Sequence, residues 1–527
     1  MIAKRHTIPY RATGRFAPIV TDYVEGMPEL REFHAFTADR AGLAEAMAER
    51  RFDPATRATL CAVLEDQYAG LTLDEAVRAN LEALRLDGTL TVTTGHQLCL
   101  FTGPLYVPFK ILNTIRLARE LSTPEKRVVP VFWMATEDHD RAEIDHAWLG
   151  EKKVHWPGVA GGAVGRLRLE GIQAALAEAE ALLGSGPHAD ELRALLRSSY
   201  REGHTLAQAT RLFVNALFGR FGLVILDGDD KRLKRLFAPV MQEELLNQVT
   251  LRTVRYANDK LSPRYTPQAH ARDINLFHLS DGRRARIEFD GDNYSVLDGG
   301  PSFSVDQLLI DLQLHPDRFS PNVLMRPVYQ ETILPNIAYI GGGGELAYWL
   351  QLRWLFQGLQ VPMPVLILRT SALFLSAKQA RKWEATGLAI DDLFTTKDQL
   401  ENRIATMHAS FSTSLAEERI RHAALFNALA ERAGAADATL EASVRAKEAF
   451  SAKGLDMIER RLVHAAKREQ ADGLRRMEEV HDALFANGLQ ERRQNFMPFY
   501  AARGPALFDE WLEALDPLDP RFSVLEE

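Results

Sequence analysis

Residues 89–122 read TLTVTTGHQLCLFTGPLYVPFKILNTIRLARELS. The first six residues are rich in β-branched side chains and carry no charge, as a strand buried on both faces does. Further on, Leu105, Phe109, Leu112, Ile115 and Leu117 recur at roughly helical spacing. Pro104 suits the first turn of that helix, where its missing N–H costs nothing. A buried strand that passes through a polar turn into an amphipathic helix is one half of a parallel α/β unit.

Three more runs repeat the pattern. RVVPVFWMATEDHD is apolar from about Val128 and ends abruptly in charge, RFGLVILDGDD is apolar from Leu223 to Leu226, and VPMPVLILRTS supplies a fourth run from about Pro364 to Leu368. Continuous apolar runs alternating with helices predict an α/β fold, a parallel sheet covered on both faces. Such sheets bind ligands beyond the carboxyl ends of their strands. The polar groups of this chain gather at those ends: Gly95-His96-Gln97, then Glu137-Asp138-His139-Asp140, then Asp227.

The 527 residues exceed what one hydrophobic core usually supports, so two or three domains are expected. A net charge of -8 argues against general nucleic-acid binding. Only Cys61 and Cys99 are present, far apart in sequence, which argues against a disulfide framework and a thiolate zinc site. The opening MIAKRHTIPYRATGRF lacks the apolar stretch of a signal peptide, and no run of about 18 apolar residues is available to span a membrane. The expectation is a cytoplasmic protein with no nucleic-acid or membrane partner.

A core over 1–390 is expected to open with helices between about residues 38 and 86 and to carry two insertions. The insertion at about 151–210 reads as helical. The other, at about 265–325, contains RRARIEFDGDNYSVLDGGPSFSV, whose DG and GD turns predict a β-hairpin. Residues 391–490 read as a helical arm. Leu400, Ile404, Met407, Phe411 and Leu415 alternate spacings of four and three, the seam of a coiled coil. Gly434 is expected to break that helix, and a second, with Leu455, Ile458 and Leu462 on one stripe, to fold back as an antiparallel hairpin. The aromatic-rich segment 491–527 is expected to dock on the core.

Three clusters are candidates for chemistry. His96 follows a buried strand, and Thr102, Gly103 and Pro104 begin the next helix, whose free N–H groups favour a phosphate. The Glu137, Asp138, His139 and Asp140 cluster suits an ammonium group, Mg²⁺ with phosphates, or a metal-hydrolase centre. Gly341, Gly342, Gly343 and Gly344 precede a helix carrying Glu345 and Tyr348, and let a ligand approach the backbone. Neither a P-loop nor a dinucleotide fingerprint is present.

In combination, TGHQLCLFTGPLYVPFK, VPVFWMATEDHD and RPVYQETILPNIAYIGGGGELAYWLQL resemble the hallmark stretches of the bacillithiol biosynthesis cysteine-adding enzymes. The likeness extends through FGLVILDGDD and the arm to the closing LQERRQNFMPFYAARGPALFDEWLEALDPLDPRFSVL, nearly the whole chain. It implies a Rossmann-type core like that of class I aminoacyl-tRNA synthetases and nucleotidyl transferases, with connective insertions and an antiparallel coiled-coil arm that forms a homodimer. The implied activity is a ligase reaction that adds L-cysteine to the amine of glucosaminyl-malate, the last step of bacillithiol synthesis, with ATP and Mg²⁺. His96, Asp138 and His139 are then the expected catalytic residues, His139 or a nearby carboxylate accepting the amine proton. Substrate binding is expected of Gln97, Tyr106, Glu137, Asp140, Gln330, Tyr339, Glu345 and Tyr348. Phosphate binding is expected of Thr102, Gly103, Pro104 and the four glycines. No zinc spacing is present, so zinc is not expected. Two rival readings are a metal-dependent hydrolase built on residues 137–140 and a non-enzymatic dimeric scaffold.

Overall fold

The computed structural model describes residues 2–158, 161–485 and 488–527. Its central sheet is formed by Leu90–His96 (β1), Val128–Met134 (β2), Val224–Asp227 (β3), Asn336–Gly341 (β4) and Val365–Leu368 (β5). The order across the sheet is β5-β4-β1-β2-β3, and every neighbouring pair is parallel. β1 lies in the middle, paired with β2 from Leu90 opposite Val128 to His96 opposite Met134. Four of these strands are the four apolar runs. The fifth, β4, opens on an asparagine and runs straight into glycines, and is not among those runs.

Leu90 and Val92 of β1, Ile337, Ala338 and Ile340 of β4, and Val365 and Ile367 of β5 form a buried core with Leu117 and Ala118. The alternate residues of β1 are polar. Thr91 and Thr93 donate to Asn336 Oδ1 at 3.2 and 2.8 Å, and Asn336 Nδ2 donates to Glu331 at 2.8 Å. Burial pushes the Glu331 carboxyl up to about 7, against the pull of Arg50.

Helix Tyr106–Leu121 (α1) begins two residues later than Pro104. Phe101 and Thr102 hold positive φ (52° and 66°), and so does Gly103 (74°). A Cβ on Gly103 would lie 2.6 Å from Cys99 Cβ, so only glycine fits there. Asn495 holds this loop: its Nδ2 donates to the carbonyls of Phe101 and Gly103 at 3.1 and 2.8 Å. Leu105 N donates to Gln494 O at 2.7 Å. Other helices of this unit are Lys231–Asn247 (α2), Arg326–Ile333 (α3) and Gly343–Trp349 (α4).

Between β2 and β3 lies a two-stranded antiparallel ribbon, His146–Leu149 with Lys152–His155, followed by helices Ile172–Leu182 and Ala189–Ser199. Between α2 and α3 lies a five-stranded antiparallel sheet that includes Leu276–Ser280, Arg283–Phe289 and Phe319–Pro321. Pro9–Ala372 and Gln490–Ser523 form one compact unit. Within it, helix Ala506–Ala514 packs on α1, with the Phe109 and Trp511 rings 5.4 Å apart.

The second unit comprises Leu373–Leu489 and both chain ends, Ala3–Ile8 and Val524–Glu527. Its long helices are Lys397–His408 (α5), Ala416–Ala436 (α6), Ala438–Glu469 (α7) and Ala471–Phe485 (α8). Arg419 pairs with Asp456 and Glu459, His422 with Ser451, and Asn427 with Arg445. Partner numbers fall as helix numbers rise, so α6 and α7 run antiparallel. The expected seam from Leu400 to Leu415 is interrupted at 409–415, outside the helices, where Ser410, Ser412, Thr413 and Ser414 compete with backbone hydrogen bonds. Gly434 sits inside α6 and does not break it. The turn comes at Asp437, whose side chain accepts from Thr439 N.

Asn495→Ala removes the donor that satisfies two buried loop carbonyls. It should lower unfolding stability by about 2–3 kcal/mol in denaturant titration, with the m-value unchanged.

Candidate active site

Because all five strands are parallel, their carboxyl ends share one edge. An open cleft of about 880 Å³ lies there. His96 and Gln97 reach it from the end of β1, and Glu137, Asp138, His139 and Glu143 from the segment after β2. Tyr339 and the Gly342, Gly343, Gly344 and Glu345 turn come from β4 and α4, and Arg369 follows β5. Tyr106 and Tyr348 complete that side. The structure thus unites twelve sequence-predicted side chains and turn residues that the chain scatters between His96 and Tyr348.

Others lie elsewhere. Thr102, Gly103 and Pro104 are not in the cleft lining. Asn495 holds the carbonyls on either side of Thr102, and Pro104 bridges to Asn495. Gly341 and Asp140 are also outside the lining, Gly341 buried in β4 and Asp140 exposed to solvent. Gln330 is buried behind the wall, accepting from Arg326 Nη1 at 3.0 Å. Asp227 faces a separate cavity of about 860 Å³, with Arg166 and His204.

The wall of the cleft is held by buried charge. Lys110 is 1% exposed. Its ammonium donates to Gly95 O at 2.5 Å and to Glu345 Oε2 at 2.7 Å. Glu345 also accepts from Tyr339 Oη at 2.5 Å and from Gly342 N at 2.8 Å. Burial opposes the charge on Glu345, but Lys110 and these donors outweigh it and hold the carboxyl at about 2. On the other side, Lys234 of α2 sits between Glu137 (2.7 Å) and Asp229 (2.9 Å), and Arg166 pairs with Asp229. Glu137 is therefore committed to a structural ion pair. Arg369 is likewise neutralised, by the fully buried Glu491 at 2.8 Å.

His96 packs edge-on to Tyr106, with Nε2 3.7 Å from Cys99 Sγ. Burial, then the Lys110 ammonium, pushes the imidazole down to about 3, and it is neutral near pH 7. Burial pushes the Cys99 thiol up to about 12, so it is no nucleophile. Asp138 is different. Burial works against its charge, but donors outweigh it: Gln97 Nε2 reaches Oδ2 and His139 N reaches Oδ1, both at 2.7 Å, with Arg284 3.9 Å away. It stays ionised well below the usual carboxylate range.

Several lining residues carried no signal in the sequence. His270, Arg272, Arg284 and Arg286 arrive from the antiparallel sheet and its approach, Arg326 from α3 and Arg492 from the C-terminal segment. Among the described residues no carboxylate lies within ion-pair distance of Arg272, Arg286, Arg326 or Arg492. Glu143 is pushed above its ordinary range by burial and then by Asp140, and among the described residues no cation pairs with it. A lone arginine on a strand, a helix or a loop carries no pattern that marks it for a cleft; the closeness of Glu143 to the Asp138 cluster was the one available clue.

A parallel-sheet α/β protein with a charged cleft at the strand ends belongs to the broad Rossmann-like class. The comparisons narrow this. The family model described as "Bacillithiol biosynthesis BshC, N-terminal Rossmann-like domain" matches residues 3–370, and "Bacillithiol biosynthesis BshC, C-terminal coiled-coil domain" matches 372–527. The chain is 40% identical over 523 residues to the "Putative cysteine ligase BshC" of Flavobacterium johnsoniae, covering 98% of this chain and 99% of that one. Identity to the protein of the same name from Christiangramia forsetii is 40% over 98% of each chain, and to that from Salinibacter ruber 32% over 97% and 96%. The chain belongs to the BshC family of bacillithiol biosynthesis.

The Lys110–Glu345 pair predicts an asymmetry. Glu345→Gln strands a buried ammonium and should cost about 3–5 kcal/mol at pH 7, whereas Lys110→Met leaves a carboxylate with two donors and partial solvent and should cost less. The folded pKa of Glu345 is depressed, so its contribution is full above about pH 4.5 and is lost as pH falls toward about 2. Thermal melts across that window should show an acid loss in the wild type that is reduced in Glu345→Gln.

Proposed function

We propose that this chain joins the carboxyl group of L-cysteine to the amine of glucosaminyl-malate, with ATP and Mg²⁺ supplying carboxylate activation. The observation that carries this reading is that the cleft is lined by groups of both charges. Asp138 and Glu143 are carboxylates that would hold an ammonium group. Arg272, Arg286, Arg326 and Arg492 offer guanidinium groups without carboxylate partners. The cleft thus complements two substrates that each carry an amine and carboxylates. The residues present also fit a polyphosphate: the Gly342, Gly343 and Gly344 turn leaves room for close approach, with Arg326 and Arg492 nearby. When bound, the nucleotide would make the cysteine carboxyl a group with a good leaving group. The carbon–nitrogen bond then forms as the amine adds to the carboxyl carbon, and the amine must lose a proton. Glu143, with its raised pKa, is the base we assign.

The metal-hydrolase reading is less favoured, because members of its cluster are engaged with other groups. Glu137 is paired with Lys234, Asp138 is bonded to Gln97, and His139 to Arg284. For the arm, we propose pairing with a second copy of the chain, placing the whole in the cytoplasm. Ile420 and Phe450 are 70% and 76% exposed, with Leu425, Met457 and Ile458 also outward on α6 and α7. Such a set of apolar side chains on one helix pair calls for a cover.

Mass spectrometry of reactions containing cysteine, glucosaminyl-malate, ATP and Mg²⁺ should show the cysteinyl adduct, and omission of ATP should abolish it. Glu143→Gln should lower kcat about 10²-fold or more and remove the acid limb of its pH profile, which lies above the ordinary carboxylate range. An unchanged profile rejects Glu143 as the base. In light scattering, Ile420→Glu with Phe450→Glu should convert a dimer to a monomer; a wild-type monomer rejects the pairing.

A further inference from the structure

Asp138 and His139 look like an acid–imidazole dyad, with Asp138 Oδ1 3.6 Å from His139 Nδ1. The antiparallel sheet changes that. Arg284, on strand Arg283–Phe289, places Nη1 2.7 Å from His139 Nδ1. A guanidinium has five N–H donors and no acceptor, so the bond has one polarity: Arg284 donates and Nδ1 accepts. Nδ1 therefore carries no proton. A neutral imidazole with a bare Nδ1 carries its proton on Nε2. The Asp138 carboxylate consequently receives no hydrogen bond from the ring, and takes Gln97 and the His139 backbone N–H instead.

Arg284 is itself tightly placed. Nε donates to Ser320 Oγ at 3.1 Å and Nη2 to Pro321 O at 2.9 Å. The guanidinium carbon stands 3.9 Å from the centre of the Phe277 ring, against which His139 also packs at 5.3 Å. The side chain is 7% exposed. His139 is half-exposed on the cleft, and among the described residues Nε2 has no bonding partner.

We propose that His139 serves the cleft as a hydrogen-bond donor through Nε2, and that Arg284 is the positioning residue that puts it in that role and bars it from acting as a base. On the ligase reading, on which this step rests, the amine nitrogen adds to the cysteine carboxyl carbon and the carbonyl π pair moves onto oxygen. The Nε2–H meets that oxygen, or an oxygen of the activating group, as negative charge develops. The amine proton leaves to a carboxylate, and the activating group departs when the oxyanion collapses.

The test begins on the full-length wild-type protein without substrate, so it does not depend on the reaction. Ring ¹⁵N spectra of histidine-labelled protein, with the His139 signals identified by their loss in His139→Gln, should show a pyridine-type Nδ1 and a pyrrole-type Nε2. A pyrrole-type Nδ1 or an imidazolium at pH 7.5 overturns the proposal. In Arg284→Met the ring should change tautomer or protonate, and in Arg284→Lys, which keeps a donor, it should stay as in the wild type. An unchanged ring in Arg284→Met also overturns it. In the ligase assay, His139→Gln and Arg284→Met should each lower kcat about 10²-fold with smaller changes in KM. The double variant should be no slower than His139→Gln alone. Losses that multiply would mean that Arg284 acts other than through His139. Should the wild type form no adduct while the ring shows the stated tautomer, the ligase reading fails and the tautomer assignment stands.

Discussion

One buried ammonium ties the cleft together. Lys110 rises from the middle of α1 and has no water to solvate it, so it must find oxygen inside the protein. It finds the last carbonyl of β1 before His96 and the carboxylate of Glu345 at the start of α4. One side chain thereby joins the central strand to the glycine turn after β4. Glu345 in turn holds Tyr339 and Gly342. Two walls of the cleft are locked to each other before any ligand arrives, which is the preorganisation that an electrostatic site requires.

The segment after β2 is held by the same device, a second buried lysine. Lys234 stands between Glu137 and Asp229, so the abrupt charge after β2 is partly structural. What remains for chemistry is narrower than the acidic cluster suggests: an ionised Asp138, a Glu143 of raised pKa and a His139 whose polarity is set from outside. The antiparallel sheet inserted between α2 and α3 is therefore part of the site, supplying Arg284 and, with its approach, His270, Arg272 and Arg286. The C-terminal segment contributes in the same way, through Arg492, Glu491 and the Asn495 clamp.

The fold was legible wherever burial on both faces leaves a continuous apolar run, as at TLTVTT and VVPVFWM. It was illegible at β4, where the apolar run is only four residues long between an asparagine bonded to Thr91, Thr93 and Glu331 and the glycines that follow. Much of the cleft was legible too, because a parallel sheet brings its strand ends to one edge whatever their separation in the chain. The Thr102-Gly103-Pro104 turn misled because Gly-Pro before a helix reads as a phosphate cradle. Its glycine answers instead to a positive φ and to the closeness of Cys99. In the arm, Gly434 drew attention, while the break fell in the Ser/Thr stretch at 410–414, whose side chains bond locally.

By itself, the sequence determined the class of fold, the strand ends where polar groups collect, the helical arm and the family. Each of these depends on local periodicity or on an ordered string of residues. Only the tertiary structure decided which charges are spent on one another and which are left for a ligand. That choice depends on distances between groups far apart in the chain, such as Lys110 with Glu345, Arg369 with Glu491 and Arg284 with His139. Ion pairing and desolvation act through space, so a carboxylate, an arginine or a histidine has no assigned role until the fold has given it neighbours.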